Sequence, residues 1–316
     1  MRSVPVRFAA ISLGLTLLTA CATAHKATTS TSSSSSTGTG MGQGGAGPIV
    51  INGRSVNVHV PPSYKDGTPA PLVVMLHGYS VGGYLEELYL GLKPLADEHG
   101  FLYVFPTGTI DQSGVPFWNA TDACCNYYGS TVDDSAYLSA LIDAIKAQFS
   151  VDPKRVYIVG HSNGGFMAYR MACEHADQIA AIVSLAGAMP NDPTTCKPSA
   201  PVSVLQIHGT SDPEVLYAGF AGAGTPGNGP YPSAMVTASD WATIDGCTSP
   251  PDMSSPPLDL DQTIAGAETT VLRYDMGCKA STEVDLWSMQ GAQHIPDIGM
   301  TFREDIVAFL LAHPKP

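Results

Sequence analysis

Residues 155–173 read RVYIVGHSNGGFMAYRMAC, and this stretch decides how the rest of the chain is interpreted. The mostly apolar run from Arg155 to Val159 predicts a short strand, and Gly165 to Cys173 are predicted to form a helix. Between them lies a G-x-S-x-G sequence centred on Ser162. A turn this tight leaves room only for glycine beside the serine and lifts the hydroxyl above the end of a sheet. The stretch therefore predicts that Ser162 is a nucleophile.

Predicted strands and helices alternate on both sides of this stretch. Apolar runs predict further strands at residues 71–77, 101–105, 179–185, 202–207 and 284–289. Helices are predicted for the stretch that carries Leu85, Leu88, Leu92 and Leu95 and for residues 133–149, 233–244 and 301–311. This order is typical of an α/β protein with a mostly parallel sheet and helices on both faces. In such sheets, ligands bind beyond the carboxyl ends of the strands, so a site is expected there.

Two candidate partners of Ser162 follow later strand ends. Asp212 closes the sequence HGTSD after the strand at 202–207, and His294 closes QGAQH after the strand at 284–289. Serine, acid and histidine therefore occur in the chain order expected for this motif. We predict that His294 takes the serine proton and that Asp212 orients the imidazole. The competing interpretations are a surface-loop histidine and a turn-forming aspartate.

Three other aspartates, Asp240, Asp245 and Asp275, also precede His294. The first two fall in or near the predicted helix at 233–244, and Asp275 falls in a weakly defined strand. Since the acid is expected just past a strand end, Asp212 is preferred.

Backbone donors for a developing oxyanion are expected in two loops. His77-Gly78-Tyr79 follows the strand at 71–77, and Asn163 follows the nucleophile. Proteins with this motif take one N–H from each place, so we assign the N–H groups of Tyr79 and Asn163. One such donor typically contributes roughly 3 kcal/mol to transition-state stabilisation. His77 itself is expected to pack beneath the loop without proton chemistry.

Four segments of the chain support a family resemblance. They are PLVVMLHGY (71–79), WNATDACC (118–125), VDPKRVYIVGHSNGGFMAYRMAC (151–173) and HGTSD (208–212). They resemble bacterial secreted esterases of the feruloyl-esterase and polyhydroxybutyrate-depolymerase group, which belongs to the α/β-hydrolase superfamily. The resemblance implies an α/β-hydrolase fold, hydrolysis of carboxylic esters by the same three residues, no cofactor and no metal. Members often carry Trp-Pro shortly after the catalytic histidine, whereas this chain reads His294-Ile295-Pro296-Asp297.

The substrate is expected to be a neutral ester, attached to a polymer. Many lipases insert a helical lid between the strands that correspond to those predicted at 179–185 and 202–207. In this chain only residues 186–201 lie between the two strands, so no large lid is expected. Trp118 is the candidate substrate-binding residue, since its ring can stack on a phenolic ring or a sugar. Phe117, Tyr127 and Tyr128 are further candidates, and each is equally well interpreted as a half-buried aromatic.

By resemblance, the first expectation is a feruloyl or acetyl ester of plant cell-wall polysaccharide, and the second is polyhydroxybutyrate. A function of another class is a lipid-anchored binding protein that has kept the fold and lost activity. The intact set of Ser162, Asp212 and His294 argues against that interpretation.

The N-terminus predicts export. Arg2 and Arg7 give the chain a basic start, and an apolar run follows at residues 8–20. This run is too short to span a bilayer, so residues 1–20 are interpreted as a signal peptide. Leu18-Thr19-Ala20-Cys21 resembles the lipobox of bacterial lipoproteins, which implies cleavage before Cys21 and lipidation of its sulfur. The alternative is ordinary signal peptidase cleavage nearby.

Two segments follow the signal peptide. Residues 21–47 begin with the lipidated cysteine and continue as a flexible Ser/Thr/Gly tether, because they hold almost no apolar side chains to bury. Residues 48–316 are expected to form the α/β-hydrolase catalytic domain. The protein is thus expected outside the cytoplasm, anchored to the bacterial cell envelope by lipid.

The charge of the chain limits its partners. Acidic residues outnumber basic ones 28 to 15, and no basic cluster occurs. Nucleic acid is therefore excluded as an expected partner, and polyanionic substrates are disfavoured. We expect a monomer that contacts a membrane only through its lipid anchor.

Six cysteines lie beyond the lipobox, an even number that in an exported chain predicts disulfides. A zinc site would need closer ligand pairs of the Cys-x-x-Cys type, which are absent from the sequence. We expect Cys247 to pair with Cys278 and so to close a loop of about 30 residues. For the rest, Cys173–Cys196 with a vicinal Cys124–Cys125 pair is favoured, and the alternative joins each adjacent cysteine to Cys173 or Cys196 separately.

Overall fold

A computed structural model describes residues 47–316. The predicted signal peptide, Cys21 and all of the predicted tether but its last residue lie outside the described residues. The strands are β1 Ile49–Ile51, β2 Arg54–Val56, β3 Ala70–Leu76, β4 Leu102–Val104, β5 Thr109–Ile110, β6 Pro116–Phe117, β7 Val151–His161, β8 Ala181–Leu185, β9 Ser203–Gly209, β10 Thr269–Tyr274 and β11 Val284–Met289. The helices are α1 Gly83–Leu90, α2 Lys93–His99, α3 Asp134–Gln148, α4 Asn163–Glu174, α5 Ala234–Ile244 and α6 Met300–Ala312.

Seven strands form the central sheet in the order β10-β11-β9-β8-β7-β3-β4. All neighbours are parallel except β10, which runs antiparallel to β11 at one edge. Every residue of β3, β8, β9 and β11 is buried, as continuous apolar runs in a covered parallel sheet require. The prediction of a mostly parallel sheet is confirmed.

Helices cover both faces of this sheet. On one face, Leu138 of α3, Phe166 of α4 and Trp241 of α5 belong to one buried apolar cluster. On the other, Leu95 of α2 and Phe302 of α6 belong to a second cluster. Burying each such side chain is worth about 1.5–3 kcal/mol, so the two clusters hold the strand ends in a fixed arrangement.

The predicted leucine-bearing helix is wrong in one respect. The chain forms two helices there, since Gly91 takes a left-handed conformation (φ 61°) and ends α1. Leu85 and Leu88 are 55% and 63% exposed, whereas Glu86 is 3% exposed. Helix α1 therefore turns Glu86, rather than Leu85 or Leu88, toward the interior.

Three disulfides are present among the described residues. Cys173 at the end of α4 joins Cys196, and Cys247 after α5 joins Cys278 in the loop between β10 and β11. The adjacent residues Cys124 and Cys125 form the third pair, so the connectivity is the one favoured from the sequence.

The connection from β8 to β9 carries only a short 3-10 turn at Pro193–Thr195, so no large helical lid lies there. Within residues 47–316, no helix has the length and apolar character needed to cross a membrane.

Candidate active site

Ser162 lies on a sharp turn between β7 and α4. Its backbone has φ 54° and ψ −119°, a conformation that L-residues rarely adopt, and its N–H donates to the carbonyl of Leu185 at 2.8 Å. A Cβ added at Gly160 would lie 2.1 Å from the carbonyl oxygen of Gly164, and one added at Gly164 would lie 2.1 Å from that of Leu76. Both flanking glycines are therefore required by close backbone approach.

The structure brings together the three residues predicted to carry the chemistry. Nε2 of His294 lies 2.9 Å from Oγ of Ser162, and Nδ1 of His294 lies 2.7 Å from Oδ2 of Asp212. His294 lies in the loop after β11 and Asp212 in the loop after β9, at the carboxyl ends of neighbouring parallel strands. This geometry lets the serine proton pass to His294 while Asp212 stabilises the resulting imidazolium.

Asp212 is held as a carboxylate. Its Oδ1 accepts from the N–H groups of Glu214 and Val215 at 2.8 and 2.9 Å. Burial on its own would raise the pKa of Asp212, but hydrogen bonds from His208 and His294 hold that pKa well below its usual range. His208 lies 3.4 Å from Oδ2 and also contacts the carbonyl of Val215 at 2.7 Å. A permanently charged acid is what the histidine needs during proton transfer.

The two predicted oxyanion donors belong to the loop after β3 and to the residue that follows Ser162. The N–H of Gly78 is already engaged by Glu86 Oε2 at 2.8 Å, whereas the N–H groups of Tyr79 and Asn163 have no acceptor among residues 47–316. A Cβ built on Gly78 would lie 3.4 Å from Cβ of Ser162, so this loop runs directly beside the serine. Both unpaired donors are available for a developing negative charge.

His77 packs beneath the oxyanion loop, as the sequence predicted. Its Nε2 accepts from the N–H of Gly108 at 2.8 Å, so its proton lies on Nδ1, which donates to the carbonyl of Gly78 at 2.7 Å. Burial lowers the pKa of His77, which keeps the ring neutral. Because a carbonyl and the following N–H point in opposite directions, this bond also directs the N–H of Tyr79.

The prediction that Trp118 contacts substrate is wrong. Trp118 is fully buried and does not line the cleft beside Ser162. Its Nε1 donates to the carbonyl of His77 at 3.1 Å, and its N–H donates to Oδ1 of Asn163 at 2.7 Å. Trp118 therefore supports the segments of His77 and Asn163. This role depends on contacts between residues that are distant in the chain.

A cleft of about 710 Å³ opens above Ser162 and His294. Aromatic side chains make up much of its wall, and they belong to Tyr79, Tyr127, Phe166, Phe220 and Tyr231. Of the candidates near the vicinal cysteines, Tyr127 lines the cleft, Phe117 is buried, and Tyr128 is exposed outside it.

Charge is scarce in this cleft. Among the described residues that line it, Glu214 is the only aspartate, glutamate, lysine or arginine. Burial together with a hydrogen bond to Asp111 raises the pKa of Tyr79 to about 12, so its phenol stays neutral. The vicinal cysteines Cys124 and Cys125 form part of the same wall. Across residues 47–316, no group of three His, Cys, Asp or Glu side chains converges to hold a metal ion.

Sequence reasoning missed a second histidine–carboxylate pair. His161 directly precedes the serine, and its Nδ1 lies 3.0 Å from Oε1 of Glu86. The position of His161 inside the G-x-S-x-G sequence is a weak signal. Glu86 gives no signal at all, because it lies among leucines that suggested a different buried face.

The sequence of this chain matches a known family and several characterised proteins. A family model described as "Putative esterase" matches residues 52–256. "Putative esterase NocK" of Nocardia uniformis subsp. tsuyamanensis is 33% identical over 195 residues, which cover 58% of this chain and 54% of that protein. Feruloyl esterase B of Piromyces equi is 28% identical over 245 residues, covering 76% of this chain and 42% of the relative. Poly(3-hydroxyalkanoate) depolymerase C of Paucimonas lemoignei is 35% identical over 136 residues, covering 41% and 30%. The chain thus spans about half or less of these relatives' lengths.

A solved structure supports the fold. The acetyl xylan esterase from Aspergillus awamori superposes with a TM-score of 0.56 at 15% identity, covering 81% of this chain and 93% of that one. The sheet order, the turn at Ser162 and this likeness confirm the predicted α/β-hydrolase fold.

Proposed function

This chain belongs to the Esterase family, and we propose that it is a serine carboxylic ester hydrolase with Ser162 as nucleophile, His294 as base and Asp212 as the orienting acid. The observation that carries the proposal is the hydrogen-bonded series from Ser162 Oγ to His294 Nε2 (2.9 Å) and from His294 Nδ1 to Asp212 Oδ2 (2.7 Å).

The first half-reaction forms an acyl-enzyme. His294 Nε2 takes the proton of Ser162 as Oγ attacks the ester carbonyl carbon. The carbonyl oxygen becomes negative and accepts from the N–H groups of Tyr79 and Asn163. When the intermediate collapses, the bond to the alcohol oxygen breaks, and His294 returns its proton to that oxygen as the alcohol leaves.

The second half-reaction releases the acid. Water loses a proton to His294 and attacks the acyl carbon, and the same two N–H groups hold the oxyanion. Ser162 Oγ then leaves and recovers its proton from His294. Besides the ester and one water molecule, these steps use side chains and main-chain groups of this chain.

For the substrate, we propose a feruloyl or acetyl ester attached to plant cell-wall polysaccharide. The cleft is open, its wall is aromatic, and no lysine or arginine of the described chain lines it. An aromatic wall suits a phenolic acyl group, and the absence of a cation suits a neutral ester rather than an anion. The relative named feruloyl esterase B, which aligns over 76% of this chain, adds to this choice.

A polyester such as polyhydroxybutyrate is the second candidate. It is favoured by the likeness to poly(3-hydroxyalkanoate) depolymerase C and by the same open cleft, which leaves room for a chain on either side of the scissile bond. A binding protein without activity fits less well, because a strained serine aligned with a base and an acid has no use in passive binding.

We further propose that the domain is exported and lipid-anchored through Cys21. The disulfides fit an oxidising compartment, and the lipobox-like residues before Cys21 supply the attachment point. A mass measurement of the mature N-terminus tests this, since an unmodified Cys21 would refute lipidation while leaving export untouched.

A substrate panel tests the enzymatic proposal. We expect release of ferulate from methyl ferulate and of acetate from acetylated xylan, with slower release of hydroxybutyrate from a short-chain polyester. All three activities should vanish in Ser162→Ala and persist in Ser199→Ala, which removes an exposed serine away from the cleft. Preferred cleavage of the polyester would reverse the order of the two candidates. Activity on none of the three test substrates would exclude both proposed substrate classes.

A further inference from the structure

A buried ion pair lies next to the proposed triad without being part of it. Nδ1 of His161 is 3.0 Å from Oε1 of Glu86, and both side chains are nearly inaccessible to solvent, at 6% and 2% exposed. Burying a charged pair is costly unless its remaining donors and acceptors are used. Here the second oxygen of Glu86 and the second ring nitrogen of His161 each contact a main-chain group of the site.

The pair joins three segments. Glu86 Oε2 accepts from the N–H of Gly78, in the loop that presents the Tyr79 N–H. His161 belongs to the turn that holds Ser162, and its Nε2 lies 3.2 Å from the main-chain carbonyl of His294. One carboxylate and one imidazole therefore link three segments. These are the loop of Gly78 and Tyr79 (the oxyanion loop), the turn at Ser162 (the serine turn) and the loop that carries His294 (the base loop).

The partners define the protonation of His161. A carbonyl oxygen can only accept, so Nε2 must carry a proton. Glu86 receives a main-chain N–H on its other oxygen and is ionised, so Nδ1 must carry a proton too. Burial by itself would lower the pKa of His161, but the hydrogen bond and charge of Glu86 raise it above its usual value. Burial likewise opposes ionisation of Glu86, yet contact with His161 lowers the pKa of Glu86.

Four other groups face this pair. The ring of Tyr89 lies 5.4 Å away and that of His294 lies 5.2 Å away. The charge of Asp212 also favours the protonated imidazole, and neutral His77 lies near Glu86. Glu86 is the only carboxylate in direct contact with His161 among the described residues.

We propose that Glu86 and His161 are a positioning pair, in which a buried imidazolium holds the base loop and the oxyanion loop in register with Ser162, and that loss of its proton sets an alkaline limit to activity. The kinetic part of this inference rests on the proposed hydrolase function. The protonation part does not, because it concerns the resting protein.

The kinetic test is Glu86→Gln, which keeps the shape and removes the charge. We expect kcat to fall about 10- to 100-fold, as small misplacements of reacting groups do, while KM changes less than about twofold. Because the carboxylate that favours the imidazolium is gone, His161 loses its proton more readily, and the alkaline limb of the kcat profile should move to lower pH.

A matched control is Asp97→Asn, which removes the carboxylate from the His59–Asp97 pair (2.7 Å) away from the site. It should leave both kcat and the alkaline limb unchanged. If Glu86→Gln keeps wild-type kcat, or loses activity with an unmoved alkaline limb, the positioning role of the charge is overturned.

The decisive measurement needs no variant. Nitrogen-15 NMR of histidine-labelled wild-type protein, with the His161 ring assigned by through-bond spectra, should show both ring nitrogens protonated at pH 7. A neutral His161 ring would overturn the proposal even if ester hydrolysis is normal. A doubly protonated ring in a protein that cleaves no ester would leave the ion pair established and refute only the proposed activity.

Discussion

The main-chain N–H of Trp118 donates to Oδ1 of Asn163 at 2.7 Å, and Nδ2 of Asn163 donates back to the carbonyl of Trp118 at 2.9 Å. Asn163 follows Ser162, and its unpaired main-chain N–H is the proposed oxyanion donor, so its side chain and its main chain have different proposed roles. The reciprocal bonds fix the first turn of α4 against the segment that packs behind His77.

Asn163→Ala should therefore destabilise the protein without deleting the main-chain donor. It leaves the buried N–H of Trp118 without a partner, which is expected to cost roughly 1–3 kcal/mol, whereas the carbonyl of Trp118 still accepts from the N–H of Ala120 at 2.9 Å. Urea unfolding checks this, with exposed Asn191→Ala as a control that should stay within about 0.5 kcal/mol of wild type. An Asn163→Ala protein as stable as that control would contradict the account.

Trp118 and Tyr127 should separate structural support from substrate contact. Trp118→Phe removes the donor to the His77 carbonyl, so we expect stability to fall by about 1–2 kcal/mol with KM nearly unchanged. Tyr127→Ala removes a cleft-lining ring and should raise KM for an aromatic ester by roughly 2- to 10-fold with little loss of stability. The opposite pattern would restore Trp118 as a contact residue.

Asp245 should make the protein less stable as the pH rises. It is buried after α5 with no well-aligned hydrogen bond to either carboxylate oxygen among the described residues. Burial raises its pKa to about 7, a rise that the nearby polar groups of Thr282, Val202 and Trp241 only partly oppose. The unfolded chain titrates near a pKa of about 3.9, so the folded state binds the extra proton. Stability is therefore lost between about pH 4 and pH 7 and stays low above that range.

Asp245→Asn should remove this loss. We expect the variant to be more stable than wild type by roughly 2–4 kcal/mol at pH 8 and nearly equal to it at pH 4, since each pKa unit corresponds to about 1.4 kcal/mol. Thermal unfolding at the two pH values checks the sign. A stabilisation that is equally large at both would show that burial of the charge is not the cause.

The Cys247–Cys278 disulfide should stabilise the part of the domain that leads to the base. It spans 31 positions, and its second cysteine lies shortly before β11, which ends near His294. The chain-entropy estimate for such a loop is about 3–4 kcal/mol, and real bridges often give less. Replacing both cysteines by serine should lower stability accordingly, and non-reducing peptide mapping should find the two joined. A free thiol at either position in the purified protein would contradict the pairing.

The sequence predicted those site residues that directly follow strand ends. Ser162, Asp212 and His294 could be found because each comes next to a recognisable apolar strand, and parallel strands bring their carboxyl ends together. The burial of Trp118 could not be found in this way, because it depends on bonds to His77 and Asn163, which are distant in the chain.

In helix α1 the sequence failed to predict a buried acidic residue. Its leucines suggested an ordinary buried stripe, but Glu86 faces the interior because it has two partners there, Gly78 and His161. These buried polar contacts beside the proposed site override the apolar pattern, and local sequence reasoning is expected to fail at such places. Strand β10 was predicted only weakly for a simpler reason, since it is an edge strand with a mixed burial pattern.

Labelling with an active-site phosphonate tests whether Ser162 is an activated nucleophile. In the reaction with a fluorophosphonate, Oγ forms a bond to phosphorus, the phosphorus–fluorine bond breaks, fluoride leaves, and the serine proton passes to His294. Intact-mass and peptide analysis should find one adduct, on Ser162, that accumulates in step with the loss of ester hydrolysis. Ser162→Ala should remain folded, take no adduct and lose kcat by at least about 10⁴-fold, and His294→Ala should label far more slowly. An adduct on another residue, or near wild-type turnover by folded Ser162→Ala, would contradict the account.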